Sequence, residues 1–142
     1  MADPRNATRR TGARPTIESF PIDGVTIVFD ATKSLGCVSE GLAVKLSGNN
    51  QIALAEANDP ILGRLIHVES DGIAAVQTGG YMSLPAGNGA TVTAGTKIVG
   101  ALGASSAKGY IKTADAATLA QVAAGRGLII DSSTATAVEV LF

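Results

Sequence analysis

Turn residues recur so closely between Asn58 and Leu84 that no helix of ordinary length fits between them. Asn58-Asp59-Pro60 is turn chemistry, because Pro fixes its own φ and pushes Asp59 toward extended geometry. Ser70-Asp71-Gly72 is a second turn, with Gly free to take a positive φ. Between and after them lie Ile61–Val68, Ile73–Gln77 and Tyr81–Leu84, runs of strand length rich in Ile, Val and Leu. In the first run Leu62, Ile66 and Val68 fall on one face and Ile61 and Leu65 on the other. A strand wetted on one side alternates cleanly. This one reads as covered on both, as in a barrel, a sandwich or a subunit interface.

The rest of the chain continues that meander. Val25–Asp30 is a strand candidate with Val25, Ile27 and Phe29 on one face. Leu42–Leu46 and Gln51–Leu54 flank Ser47-Gly48-Asn49-Asn50, a hairpin signal. Short strands are expected at Ala90–Thr93, Thr96–Val99, Tyr110–Lys112, Gly127–Asp131 and Ala137–Phe142. Apolar Phe142 ends the last of these, which predicts a C-terminal residue pinned in the structure. Thr113–Ala124 carries the one helical signal: Leu119, Val122 and Ala123 stand at i, i+3 and i+4, with Thr113 or Asp115 to start it and Gly125 to end it. The expected fold is all-β: a small β-barrel or sandwich of short strands with one short helix and an extended N-terminal arm. The 142 residues divide into an arm, 1–23, and a single β-rich domain, 24–142.

Composition adds two constraints. The hydrophobic share is 46%, ordinary for a globular chain, yet it is built from 24 Ala with no Trp and only three Phe and two Tyr. Such a core buries little area per residue, which points to subunit contacts as a further source of stability. A net charge of −1 makes no case for nucleic acid or a membrane surface as partner, and no apolar run approaches the ~20 residues of a membrane span. The N-terminal arginines are not followed by an apolar segment, so no secretory signal is read there.

The arm has its own character. Up to Ile22 it holds Arg5, Arg9, Arg10 and Arg14 against Asp3 and Glu18, net +2, which leaves −3 for the remainder. Pro4, Pro15 and Pro21 argue against regular structure, while Ile17, Phe20 and Ile22 predict that its second half docks on something. Four arginines without interleaved aromatics are a poor nucleic-acid signal, whereas arginine suits paired contact with carboxylates of a protein. Arg9, Arg10, Arg14, Pro15, Ile17 and Phe20 are therefore the candidate binding residues.

Reactive chemistry is sparse in the sequence. His67 is the only histidine, so a metal or triad role has no second imidazole to draw on, and it reads as structural or interfacial. Cys37 is alone, which excludes an intrachain disulfide and fits a reducing compartment; as a nucleophile it would need His67 as base. The carboxylates scatter among turns without an acid–base pair. Ser105-Ser-Ala-Lys108 matches S-x-x-K formally but lacks the companion motifs, and Gly87-Asn-Gly89 lacks a third glycine at dinucleotide spacing. No catalytic residue, metal ligand or cofactor is expected, and the chain is not expected to be an enzyme.

The order of motifs resembles a known family. Glu40-Gly-Leu-Ala-Val-Lys45, Ile61-Leu-Gly63, Asp71-Gly-Ile-Ala-Ala-Val76 and Ala90–Val99 lead to Gly125-Arg-Gly-Leu-Ile-Ile-Asp131 and Thr136-Ala-Val-Glu-Val-Leu-Phe142. This is similar to the capsid decoration, or cement, proteins of tailed bacteriophages, over roughly Glu40–Phe142. The resemblance implies a protein made in the host cytoplasm that binds the outer surface of the assembled head, commonly as a homotrimer on the major capsid protein, and stabilises contacts between neighbouring capsomers. Another virion component, of tail or neck, and a small β-barrel ligand-binding protein or enzyme are the alternatives.

Overall fold

The computed structural model describes residues 15–142. Its strands are β1 Thr16–Pro21, β2 Ala43–Gly48, β3 Gln51–Leu54, β4 Gly63–Val68, β5 Ile73–Gly79, β6 Tyr81–Leu84, β7 Ile98–Ala101, β8 Tyr110–Thr113, β9 Leu128–Asp131 and β10 Val138–Leu141. One helix, α1 Leu119–Ala124, and a single 3-10 turn, Ala104–Ser106, complete the regular structure of the described residues. The strands form a five-stranded sheet in the order β1-β5-β4-β2-β3, a three-stranded sheet β6-β10-β9 and the hairpin β7-β8. All ladders are antiparallel, so the chain is mainly β, as its turn spacing predicts. The sheets do not close into a barrel. The edges of the five-stranded sheet approach each other where Ile22 forms an isolated bridge with Ile52, Asp23 N–H donates to the Ile52 carbonyl at 3.0 Å and Gln51 Nε2 donates to the Ile22 carbonyl at 3.3 Å.

Two cores result. One is built on the five-stranded sheet from Val44, Ile52, Leu65, Val68 and Val76, and Phe20, Ile22 and Leu62 pack on it. The other gathers Met82, Leu84, Ile98, Ile111, Ile129, Val138 and Val140 from the two smaller sheets, together with Ala43, Ala55 and Ile61. Neighbouring residues Ala43 and Val44 on β2 thus face different cores, and Ile61 and Leu65 do likewise. Two-sided burial holds only in part: Ile61, ahead of β4, enters the second core and Leu65 and Val68 the first, while Arg64, Ile66 and His67 on β4 are half-buried, and the phase changes within the strand. An irregularity between Leu65 and His67 inserts Ile66 as an extra residue opposite β5. The bulge resets the alternation, so Leu65 and Val68, expected on opposite faces, enter the same core.

Small residues form the seam between the cores. Ala43 N–H donates to Gly109 O, Gly109 N–H to Ala55 O and Ala55 N–H to Ala43 O, at 2.8, 2.8 and 3.0 Å. Beside them Asn58 N–H donates to Gly100 O and Gly100 N–H to Asp59 O, at 2.9 and 2.8 Å. A Cβ on Gly100 would run into the Glu56 carbonyl oxygen, and one on Gly109 would meet the Leu42 side chain. Lys45 pairs with Asp59 at 2.7 Å and Lys108 with Glu56 at 2.8 Å across the same seam. At the corner from β5 to β6, buried Gln77 donates from Nε2 to the carbonyls of Gly79 and Tyr81. Gly80, at φ 87°, turns the chain into the next sheet and exchanges both backbone hydrogen bonds with Phe142. The last residue is therefore held, as its apolar character predicts.

Three local expectations fail for one reason: side-chain oxygens capture backbone donors that a ladder would need. Val25–Asp30 is not a strand. The Asp23 carboxylate accepts from the N–H groups of Val25, Thr26 and Ile27 within a turn that Gly24 opens at φ 72°. Of the face expected there, Ile27 is wholly buried but Val25 is 81% exposed. Ala90–Thr93 is irregular, with Thr93 N–H donating to the Thr113 hydroxyl. Thr113 itself ends β8, and Asp115 accepts from Ala117 N–H and Thr118 Oγ1–H in a turn, so α1 starts only at Leu119. Gly125 ends it, in extended rather than left-handed conformation.

The arm expectation also changes. Thr16–Pro21 pairs with β5 throughout, and Phe20 and Ile22 pack against the first core, so the chain after Pro15 is sheet and not an irregular arm. Pro15 and Pro21 flank a β-length run on an edge strand, where a missing N–H is tolerated. Residues 1–14 lie outside the described residues.

Seam packing yields a direct test. Gly100→Ala should destabilise the protein by roughly 2 kcal/mol or more, because backbone and not a flexible side chain must move. Gly48→Ala, where a Cβ makes only ordinary contact with Gln51, should stay within about 0.5 kcal/mol. Urea unfolding midpoints of the two variants against wild type decide it.

Candidate functional site

The expected binding residues divide three ways. Arg9, Arg10 and Arg14 lie outside the described residues. Pro15 and Ile17 are exposed, Ile17 by 54%, where the chain enters β1. Phe20 is half-buried against the chain's own core, so its ring is structural and not free to bind. Alternation along β1 sets Ile17 and Phe20 on opposite faces, which is why one faces water and the other the core. As the terminal strand of its sheet, β1 pairs among the described residues with β5 alone. Toward Pro21 this edge is approached by β3 through the Ile22–Ile52 bridge, so it is along the exposed Thr16–Ser19 half that the outer edge offers backbone donors and acceptors to a further strand.

A second exposed feature, which composition alone does not show, is the segment from Asp23 to Gly41 between β1 and β2. It has no regular structure, yet it is anchored at both ends. Thr26 Oγ1 accepts from Leu54 N–H at 2.9 Å, and Leu35 O accepts from Val68 N–H at 2.9 Å. Ile27 and Cys37 plug the core beneath, while Gly36 at φ 77° lies so close to β4 that a Cβ would run into the Val68 carbonyl. Val25, Val28, Phe29, Leu35 and Val38 are left on the outside. Lys33, Ser34, Leu35, Cys37, Val38 and Glu40 line an open hollow of about 280 Å³.

The candidate reactive groups are not brought together into a site. Burial pushes the Cys37 thiol upward, and hydrogen bonding from Ser39 only partly offsets it, so it stays a thiol near neutral pH. His67 lies on β4 opposite Ala75, with its side chain 40% exposed and Nε2 3.5 Å from Glu69 Oε1. Lys108 of the S-x-x-K match is paired with Glu56. That hydrogen bond, with nearby Lys45, holds the Glu56 carboxyl below its ordinary range. Among the described residues no group of three or more His, Cys, Asp or Glu is arranged to hold a metal ion, and no helix is long and apolar enough to cross a membrane. Comparison with protein-family models, with curated proteins and with solved structures finds no match for this chain.

Asp23 makes the loop's anchoring pH-dependent. Partial burial raises its pKa, but hydrogen bonds from Ile27, Thr26 and Val25 together outweigh that, and the net shift is downward. A carboxyl lowered by folding stabilises the native state above its unfolded pKa of about 3.9, and the contribution disappears as pH falls through the folded value. Asp23→Ala should therefore cost about 1 kcal/mol at pH 7. The gap from wild type should shrink as pH drops below about 4. Denaturant titrations at pH 7 and pH 3 measure it; an unchanged gap would exclude the ionised carboxylate as the anchor.

Proposed function

We propose that this chain is a capsid decoration protein of a tailed bacteriophage. In this reading it binds the outside of the assembled head and clamps neighbouring capsomers of the major capsid protein. One observation carries the reading: a stretch with four arginines runs directly into the exposed edge strand β1. Such a strand recruits a partner by backbone pairing, and arginines flanking it pair with carboxylates on the partner's surface. Many copies on a symmetric lattice convert modest single-site affinity into firm attachment. The order of motifs from Glu40 to Phe142 supports the same reading. So does a described surface with exposed apolar side chains but no assembled reactive cluster. The binding residues are Arg9, Arg10, Arg14, Pro15 and Ile17; Phe20 positions β1 from beneath.

Truncation must respect the fold. Removing residues 1–20 would delete β1 and uncover the first core, whereas removing 1–14 leaves β1 intact. The 15–142 protein should unfold at the wild-type midpoint, and its affinity for purified heads of the encoding phage should fall at least tenfold. Arg9→Glu with Arg10→Glu and Arg14→Glu should have the same effect, steepest at low salt. Co-sedimentation with heads reads both. Full occupancy by the truncated protein, or no head binding by the intact one, would refute the proposal.

A further inference from the structure

Each core defines a lobe, and in the second lobe the turn after β6 ends in an exposed tip, Asn88-Gly89, the chain's one Asn-Gly pair. The flanks of this turn are tied down. Gly87 N–H donates to Ile111 O at 2.9 Å, Asn88 N–H to Leu102 O at 3.0 Å and Ala90 N–H to Gly87 O at 3.1 Å. The peptide unit joining Asn88 to Gly89 is different. Among the described residues neither its carbonyl nor its N–H takes part in a hydrogen bond, and the Asn88 side-chain amide takes part in none. Gly89 stands at φ 64°, and a Cβ built on it would meet nothing within 4 Å. Glycine crosses between positive and negative φ at little cost, so this peptide plane can rotate while both ends of the turn stay bonded. Rotation brings the Gly89 nitrogen to the Asn88 side chain.

We infer that Asn88 is a self-modification site, at which the Gly89 nitrogen displaces the side-chain amide and the turn converts to aspartate and isoaspartate. The Gly89 N–H gives its proton to water or hydroxide, and the nitrogen bonds to Asn88 Cγ. The Cγ–Nδ2 bond breaks, and ammonia leaves after taking a proton from solvent. Water then opens the cyclic imide at either of its carbonyl carbons. Opening at Cγ gives aspartate; opening at the main-chain carbonyl gives isoaspartate, with Cβ and Cγ in the backbone. The sum is amide plus water going to acid plus ammonia. Comparable positions lack this combination. Gly72 N–H, after Asp71, is held by Glu69 O, and Asp59 N–H, after Asn58, by Glu56 O. The Asp23 carboxylate, before Gly24, holds the N–H groups of Val25, Thr26 and Ile27. Asn6, Asn49 and Asn50 precede residues whose side chains crowd the attacking nitrogen. Either product takes the net charge from −1 to −2. Isoaspartate also lengthens the chain between the N–H held by Leu102 and the N–H held by Gly87, so both bonds cannot keep their geometry. The turn that ties β6 to β8 is thereby loosened. None of this depends on binding to heads.

The experiment incubates wild type at mildly alkaline pH, with and without urea, and follows every asparagine by peptide mapping with mass spectrometry. In the native protein Asn88 should convert roughly tenfold faster than Asn6, Asn49, Asn50 or Asn58. The product should accept methyl groups from S-adenosylmethionine through an isoaspartyl methyltransferase, and Asn88→Gln, whose ring closes far more slowly, should not. The isoaspartyl fraction, separated by ion exchange, should unfold at lower urea than wild type. Fresh Asn88→Asp, with the same charge and a normal linkage, should keep the wild-type midpoint. An Asn88 that outlasts the other asparagines in the native state, or converts only in urea, overturns the inference. So does an isoaspartyl fraction with the wild-type midpoint, or an Asn88→Asp midpoint as low as that of the isoaspartyl fraction.

Discussion

Backbone meets backbone across the seam between the two cores, and the rest of the molecule follows from how close that approach is. The hydrogen bonds linking Ala43, Ala55 and Gly109, and those linking Gly100 with Asn58 and Asp59, need main chains with almost nothing between them. At Ala43, Ala55, Gly100 and Gly109 a larger side chain would hold the two cores apart. Ala and Gly are therefore required at these positions, whereas the cores on either side are filled largely with Ile, Leu and Val. Buried polar backbone is satisfied by this arrangement, since each unpaired group would cost free energy comparable to a lost hydrogen bond. The ion pairs of Lys45 and Lys108 fasten the exposed margin of the seam, where screening by water keeps their contribution modest.

Several local devices fix the direction of the chain around the two cores. The bulge at Ile66 turns Leu65 and Val68 into one core. Gln77 holds the corner at which one strand line passes from sheet to sheet. Asp23 and Gly36 pin the long loop at its two ends, and Ile27 and Cys37 plug the space beneath it. Each device leaves apolar surface on its outer side. The loop exposes five large apolar residues and α1 exposes two.

Packing and exposure are divided along β1. Phe20 closes the first core from the sheet edge, while Ile17 and the free edge face outward. The same strand thus belongs to the fold on one side and is available to a partner on the other.

Period and turn chemistry made most of the strands legible. The Asn49-Asn50 hairpin, the Asp71-Gly72 turn, Tyr81–Leu84 and the final strand were all readable from alternating apolar residues between turn formers, since those signals are local. The all-β class and the absence of an aromatic core were likewise sequence properties. Tertiary structure alone decided the rest. Thr16–Pro21 looked like irregular arm because its partner, β5, lies more than fifty residues away. Val25–Asp30 looked like a strand because alternation cannot show that Asp23 takes its backbone donors. The phase of β4 changed at a bulge invisible to a two-residue period, and the exposed loop and helix faces appear only once the lobes are folded. Side-chain capture of backbone and long-range pairing both depend on which atoms meet in space, and a local pattern of residues carries no information about that.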